Sequence, residues 1–346
     1  MADAQVKAVI TEQAEAVRAK QVRTYWMRIG GAIVLLIVLA TAINIFSGGS
    51  FLAPNNLTNV LRQITTQAIL DFGQTFVIIT GGIDLSVGSL VSLTGVVMAL
   101  IANSLHLSGF PLIAVTLLCG LAVGAAAGYV NSVPVVRLNL PPFITTLAMM
   151  LMALGLSYKL SHGRPIGLET TDFQNIGVGT LFGSSRWHGL PIEVIWMIII
   201  AIVASVLLTK TRFGRYVFAL GGNEEAARLA GINVARTKTL VYVISGMCAA
   251  VAGFLLMSQF SSGGPQTATG DELLESIAAV VVGGTSLMGG RGSIIGTFLG
   301  ALLIGVLYNS MNLLQIESYT QKIVLGAVIL LAVILDELRK RYLQKA

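Results

Sequence analysis

The sequence predicts an all-α polytopic membrane protein with about ten transmembrane helices and with both termini inside (N-in and C-in). Of its 346 residues, 55% are hydrophobic and only 11% are charged, whereas a soluble domain carries about 25% charged residues. The mean hydropathy is +0.82. Because so few charges cannot cover a water-facing surface of this size, most of the surface must face a lipid bilayer.

Ten apolar runs are candidate spans, since a bilayer-crossing helix needs roughly 20 mainly apolar residues. The second and eighth runs are short or polar for this role. The predicted spans are 29–47, 59–80, 88–105, 109–131, 142–161, 190–209, 238–258, 273–289, 292–312 and 321–336.

Basic residues give the predicted orientation. With ten spans and the N terminus inside, most of the 22 Lys and Arg residues fall on the inner face, at both termini, at Arg137, in 209–239 and at Arg291. An excess of Lys and Arg is typical of cytoplasmic loops. The same excess explains the net charge of +6 without nucleic acid as a partner.

This topology predicts three regions. Residues 1–28 form a cytoplasmic N-terminal segment, 29–336 the transmembrane domain and 337–346 a cytoplasmic tail. Long polar loops interrupt the spans at 209–239 on the inner face and at 161–190 on the outer face. Long structured loops are often functional. The outer loop, together with a second one at 258–272, predicts a platform for an external partner or a lid.

The inner loop contains a short helix in "GGNEEAARLAG". Asn223 is a good N-cap, Glu224 and Glu225 suit the positive end of the helix dipole, and Gly231 suits a left-handed residue after the last turn. Two interpretations stay open. The helix is either a solvated connector or a docking element for a cytoplasmic partner.

Three ordered segments resemble the ribose-type family of ABC sugar importer permeases: "GGIDLSVGS" (81–89), "TRFGRYVFALGGNEEAARLAGINV" (211–234) and "AAVVVGGTSLMGGRGSIIGTFLGALLIG" (278–305). The resemblance runs from about residue 50 to about residue 337. It implies a multi-pass permease of the bacterial inner membrane that translocates ribose or a related pentose, hexose or polyol. The implied partners are a cytoplasmic ATP-binding subunit, a periplasmic sugar-binding protein and a second permease copy.

The same resemblance implies that 209–239 is the coupling loop to the ATP-binding subunit. Glu225-Ala226-Ala227 and Gly231 are similar to the short EAA…G element of importer permeases. The residues implied in coupling are Gly222, Asn223, Glu224, Glu225, Ala226, Ala227, Arg228 and Gly231.

Polar residues in the second span predict a translocation path. Gln63, Gln67, Asp71 and Gln74 recur at helical spacing and therefore share one face. A carboxylate at mid-bilayer costs roughly 2.5–3.5 kcal/mol, so this face should point into the bundle or a wet cavity. It either makes interhelical hydrogen bonds or forms a wall along which sugar hydroxyls exchange partners.

Asp84 follows the second span directly, in "GGIDLSVGS". One interpretation is that Asp84 or Ser86 caps the first amides of the third span near the cytoplasmic interface. The other is a helix broken deeper in the membrane, where irregular backbone is tolerated only beside a cavity or inside protein. A gate there would comprise Gly81, Gly82, Asp84, Ser86 and Gly88.

The alternative function is an ion-coupled secondary sugar transporter with Asp71 or Glu275 as its proton site. Enzyme chemistry in this chain is not expected. The sequence contains no GxxxxGK[ST] phosphate-binding loop, so any ATPase must be a partner subunit. His106, His162 and His188 are scattered without ligand spacing, and we therefore expect no metal and no cofactor.

Overall fold

Helices make up most of the chain in the computed structural model, which describes residues 29–183, 189–267 and 271–345. The predicted cytoplasmic segment 1–28 lies outside these residues. In chain order the elements are α1 (Ile29–Phe46), α2 (Pro54–Ile79), α3 (Val87–Ser104), α4 (Gly109–Arg137), α5 (Pro142–Ser161), β1 (Ile166–Gly167), α6 (Gln174–Gly177), β2 (Thr180–Leu181), β3 (Leu190–Pro191), α7 (Ile192–Lys210), α8 (Arg212–Gly222), α9 (Glu224–Leu229), α10 (Val234–Phe260), β4 (Ser262–Gly263), α11 (Asp271–Val282), α12 (Ile294–Leu313) and α13 (Ser318–Lys345).

Among the described residues, seven helices are long and apolar enough to cross a membrane: α1, α3, α4, α5, α7, α10 and α12. This confirms the predicted all-α polytopic membrane protein. The other three predicted spans overlap α2, which is polar along one face, α11, which has 12 residues, and the short apolar part of α13, Ser318–Leu331. Ten spans and the N-in, C-in orientation therefore remain predictions.

The predicted eighth span, 273–289, is wrong at its end, because α11 stops at Val282. Gly284 adopts a left-handed φ of +89°, and its N–H donates to Val281 O at 2.8 Å. The next amide, of Thr285, donates to Val280 O. This pair of bonds is the Schellman arrangement that ends a helix. Residues 283–293, which we call the glycine turn, connect α11 to α12.

The central helix of the bundle is α10, which packs against α2, α3 and α4. Its crossing with α4 depends on glycine. A Cβ on Gly124 would clash with Gly246 O, and a Cβ on Gly246 would clash with Gly124 O. Gly128 similarly lies against the Tyr242 carbonyl. Small residues at these positions let the two backbones touch, as is typical of helix packing in membranes.

The periphery of the bundle is apolar and exposed. Val34 of α1, Phe110 of α4, Leu151 of α5 and Ile202 of α7 all expose more than half of their surface. Extended apolar surfaces of this kind mark contact with a membrane or another protein. The exposed faces of these helices therefore suit a surrounding bilayer.

The two ends of the bundle differ. At one end, called the α9 end, lie α8, α9 and the glycine turn. At the other, called the β end, β1 pairs with β4 (Ile166 opposite Gly263) and β2 pairs with β3 (Thr180 opposite Pro191). The β1–β4 pair joins the two predicted outer loops, 161–190 and 258–272. Residues 184–188 and 268–270 of these loops lie outside the described part.

The glycine contact between α4 and α10 should be sensitive to one methyl group. We expect Gly124→Ala to destabilise the purified protein by about 1–3 kcal/mol, the usual cost of overpacking a core. The measurement is the midpoint of thermal unfolding in detergent. Gly155→Ala is the matched control, because a Cβ on Gly155 of α5 meets nothing within 4 Å. Equal midpoints for the two variants would contradict the crossing.

Candidate functional site

The polar face of α2 passes from surface to interior along the helix. Gln63 is exposed and Gln67 is partly buried, whereas Asp71 and Gln74 have no exposed surface. Thr58, near the start of α2, donates a hydrogen bond to Gly189 O at the β end. The exposed part of the face is therefore at the β end, and the buried part is closer to the α9 end.

A cavity of about 290 Å³ opens beside the exposed part of this face. Its volume is near the lower limit for small-molecule sites. The lining comes from α2 and α10, and five of its six residues carry polar side chains. They are Asn59, Arg62, Gln63, Thr66, Leu256 and Gln259.

Deeper along α2, some polar atoms are paired and others are not. Gln67 Nε2 donates to Asp71 Oδ1 at 2.9 Å and to Glu272 O at 3.1 Å. The hydroxyls of Thr75 and Thr297 are 2.7 Å apart, which joins α2 to α12. The Ser276 hydroxyl of α11 also lies beside the Asp71 carboxylate. In contrast, both amide atoms of Gln74 have no hydrogen-bond partner among the described residues. Buried polar atoms are normally paired, so this face retains unused bonding capacity.

Sequence reasoning did not predict that Glu193 and Arg62 lie near each other at the β end. Glu193 begins α7 and is 1% exposed, and both of its carboxylate oxygens lack a hydrogen-bond partner in the described chain. The Arg62 guanidinium, which lines the cavity, lies within electrostatic range of Glu193. Arg62 also donates to Val178 O at 3.3 Å. The available signal was an acidic residue at the start of the apolar run "PIEVIW".

Asp84 is buried in protein rather than placed at an exposed helix start. Its Oδ1 accepts from the Ser86 amide at 3.0 Å and from the Ser86 hydroxyl at 2.6 Å. Its Oδ2 accepts from Ser245 Oγ of α10 at 2.8 Å. Asn131 of α4 donates to Ser86 Oγ at 2.9 Å. Asp84 thus ties the non-helical segment before α3 to two other helices.

This arrangement corrects the predicted cap. The amide that the Asp84 side chain binds belongs to Ser86, the residue before α3, and the Ser86 side chain makes no cap hydrogen bond to the first turn of α3. The alternative, a broken helix enclosed by protein, agrees with the burial. Gly81 has a φ of +79°, and a Cβ on Gly82 would lie 2.8 Å from Tyr242 Oη. A gate formed by these residues with Gly88 remains a prediction.

The short helix of the inner loop is present as α9, with both predicted caps. Asn223 Oδ1 accepts from the Ala226 amide at 2.9 Å. Gly231 has a φ of +82°, and the amides of Gly231 and Ile232 donate to Arg228 O and Ala227 O. This is a Schellman C-terminus. The helix and its caps are confirmed, and its role in coupling stays a prediction.

The residues of α9 divide into two groups. Ala227 is buried, and Glu224 pairs with Lys238 of α10 at 2.7 Å, so both hold the helix on the bundle. On the other side, Glu225 and Ala226 are exposed. Arg228 is also exposed, but it pairs with Glu224 at 3.6 Å. Leu229, which sequence reasoning did not single out, is 82% exposed. A leucine four residues after Glu225 on a capped polar helix was the signal for a contact surface.

Sequence reasoning also missed α8, which precedes α9 within the predicted loop. Thr211 caps α8 by accepting from the Gly214 amide at 3.2 Å. Val217 and Leu220 are buried, and the Phe213 ring stacks on Phe76 of α2 with centroids 6.1 Å apart. The spacing of these apolar residues is that of an amphipathic helix. Consequently, α8 lies on the end of α2.

Within the described residues, no cluster of three or more His, Cys, Asp or Glu side chains has the arrangement to hold a metal ion. The polar groups of the cavity and of the α2 face are amides, hydroxyls, carboxylates and the Arg62 guanidinium.

Polar and ionisable groups enclosed by apolar spanning helices are typical of substrate and ion pathways in membrane transport proteins. The family described as branched-chain amino acid transport system / permease component matches residues 56–333. The chain therefore belongs to this family of permease components, and it is a multi-pass protein of the bacterial inner membrane.

Curated relatives match along nearly the whole chain. The ribose import permease protein RbsC of Escherichia coli (strain K12) is 44% identical over 311 residues, covering 90% of this chain and 94% of the relative. RbsC of Bacillus subtilis (strain 168) is 42% identical, covering 87% and 89%. The fructose import permease protein FrcC of Rhizobium meliloti is 36% identical, covering 88% and 84%. No solved structure matches the chain.

The Asp84 cluster should contribute measurably to stability. Ser245→Ala removes the hydroxyl that bonds Asp84 Oδ2, and we expect a loss of about 1–2 kcal/mol, as for interhelical bonds in model transmembrane peptides. Thermal unfolding in detergent measures this. The matched control is Ser157→Ala, because Ser157 is also buried but its hydroxyl has no partner among the described residues. A midpoint unchanged by Ser245→Ala would contradict the role given to Asp84.

Proposed function

We propose that this protein is the membrane-spanning permease subunit of an ATP-binding cassette importer that translocates a monosaccharide. Two findings support the assignment to sugar importer permeases. The chain belongs to a permease family, and it is 44% identical to a ribose import permease over 90% of its length. The observation that carries the translocation path is the polar face of α2, which leads from an open cavity to buried, partly unpaired groups.

The chemistry of this face favours a sugar over a branched-chain amino acid. A sugar presents several hydroxyls, each able to donate and accept, and Gln63, Gln67, Asp71 and Gln74 offer matching amide and carboxylate atoms. A branched-chain amino acid would bury an apolar side chain, and such a group gains nothing from unpaired amides. Relatives named for ribose and fructose support the same choice.

The proposed orientation places the α9 end in the cytoplasm and the β end outside. Basic residues from Lys210 to Lys238 concentrate at the α9 end, as the positive-inside rule requires. The chain has no GxxxxGK[ST] motif, so a partner subunit supplies ATP hydrolysis. The exposed side of α9, with Glu225, Ala226, Arg228 and Leu229, is the proposed contact with that subunit.

At the β end, the strand pair that joins 161–190 to 258–272 is the proposed platform for a periplasmic sugar-binding protein. The cavity beside Arg62 and Gln63 opens at the same end. Sugar released by the binding protein would therefore enter next to the polar face. A second copy of the permease completes the proposed complex, and transport proceeds by alternating access.

The association with an ATPase can be tested directly by recovering the solubilised protein from its host and identifying co-purified subunits by mass spectrometry. We expect an ATP-binding subunit with the wild-type chain and its loss with Glu225→Lys, because the new charge falls on the exposed side of α9.

Glu317→Lys is the control for this experiment, since Glu317 is also exposed but precedes α13, at the β end. Absence of an ATP-binding subunit from wild-type preparations in several mild detergents would refute the importer proposal. Its recovery with Glu225→Lys would refute only the contact assigned to α9.

The energy source separates the importer from an ion-coupled carrier. We expect Asp71→Asn to retain substantial uptake, because the amide oxygen still accepts from Gln67 and no titrating charge is needed. Asp71→Leu, which removes both oxygens, should lower uptake on the order of tenfold, the equivalent of one lost hydrogen bond.

The measurement is sugar uptake into membrane vesicles supplied with binding protein. Uptake should persist with a protonophore and stop when ATP is depleted. The opposite pattern, together with complete loss of uptake in a well-expressed Asp71→Asn variant, would favour the secondary transporter.

A further inference from the structure

Three distant segments meet through their backbones at the α9 end: the last residue of α2, the end of α8 and the glycine turn. The Gly290 amide donates to Ile79 O at 2.8 Å. Ile79 O is one of the last carbonyls of α2, which have no partner within their own helix. The glycine turn therefore completes the hydrogen bonding of this helix end.

The end of α8 is pressed against the same two atoms. A Cβ on Gly221 would clash with Ile79 O and with Gly290 N. A Cβ on Gly289 would come within 2.8 Å of Gly221 O and 2.9 Å of Ile79 O. Gly289 and Gly290 also have left-handed φ angles of +83° and +73°, which disfavour any other residue. The backbone of Gly221 therefore packs directly on Ile79 O and Gly290 N, with no side chain between them.

This junction joins the two regions to which the proposed function assigns roles. Asn223 is both the residue that ends α8 and the N-cap of α9, so no flexible linker separates the two helices. On the other side, α2 is one continuous helix of 26 residues that carries the polar face and four of the six residues lining the cavity. Phe213 stacked on Phe76 adds a second contact between α8 and α2.

We propose that the junction of Gly221, Ile79 and Gly290 transmits the motion of the ATP-binding subunit from α9 to α2, and thereby controls access to the cavity at the β end. Close-packed contacts shift between discrete arrangements rather than deforming gradually. A displacement of α8 is consequently passed to α2 as a whole. This inference rests on the proposed function, and its test distinguishes the two.

The readout is the nucleotide dependence of labelling at position 63, in the cavity. The parent is a Gln63→Cys variant in which Cys119 and Cys248 are replaced by Ser and Ala, purified with its ATP-binding subunit. A membrane-impermeant maleimide is the probe. We expect ATP to change the parent's labelling rate by about fivefold or more, the usual size of a coupling between sites.

Adding Gly221→Ala to the parent should abolish this difference while the complex stays assembled and still hydrolyses ATP. Gly155→Ala in the same parent is the control and should keep the full response, because its methyl group meets nothing. If Gly221 had only a structural role, Gly221→Ala would lower assembly of the complex or its rate of ATP hydrolysis. It would not leave both intact while removing the response at position 63.

A second variant tests the same inference if the Gly221→Ala protein does not assemble with its ATP-binding subunit. A Cβ on Gly292 would lie 2.7 Å from Ile79 Cγ1 and 2.8 Å from Thr285 Cγ2, so Gly292→Ala should also remove the response. Adding Ile79→Ala and Thr285→Ser deletes the obstructing atoms and should restore it.

Retention of the response in assembled Gly221→Ala or Gly292→Ala complexes would overturn the inference and leave the importer proposal standing. A parent that recovers no ATP-binding subunit, or whose labelling ignores ATP, would overturn both.

Discussion

Backbone-to-backbone contact at glycine is the constraint on which the rest of this structure depends. In a bilayer, apolar side chains gain little by leaving lipid, so helices associate through close packing and a few polar bonds. Here Gly124 and Gly246 allow the central α10 to touch α4, and Gly283 and Gly296 let the start of the glycine turn touch α12. The same type of contact, at Gly221, joins α8 to α2. Helix packing and the proposed transmission from α8 to α2 therefore both depend on backbone contacts at glycine.

The polar face of α2 is possible because this packing encloses it. Asp71 and Gln74 would be costly against lipid, but α10, α11 and α12 all pack against α2. The paired atoms, such as Gln67 Nε2 and the Thr75 hydroxyl, hold these neighbours in place. The unpaired amide of Gln74 is the group that the proposed path offers to a solute. The interhelical bonds are present on this face, and solute contact stays a proposal.

Local features were predictable from sequence, and long-range contacts were not. Asn223 and Gly231 were recognisable as caps because a cap depends on a few neighbouring residues. By contrast, α8 was overlooked because Arg212 and Arg215 lie in its first turn and made the whole segment resemble a solvated loop. The bond from Ser245 to Asp84 spans 161 positions, and the Gly290–Ile79 bond also joins distant segments. Such pairs follow from helix packing, which single-sequence patterns do not encode.

The gradient of burial along α2 has a consequence for alternating access. In the proposed orientation, the cavity opens outward at Gln63, while Asp71 and Gln74 are sealed on the cytoplasmic side by α8, the glycine turn and the Asp84 cluster. Opening inward requires that at least one of these contacts separate. The Asp84 cluster is joined to α10 and to α4 by one hydrogen bond each, and its two other bonds lie within the segment before α3. The proposed transmission requires the junction at the end of α2 to stay closed while α8 and α2 move together. The contacts that separate are therefore those of the Asp84 cluster.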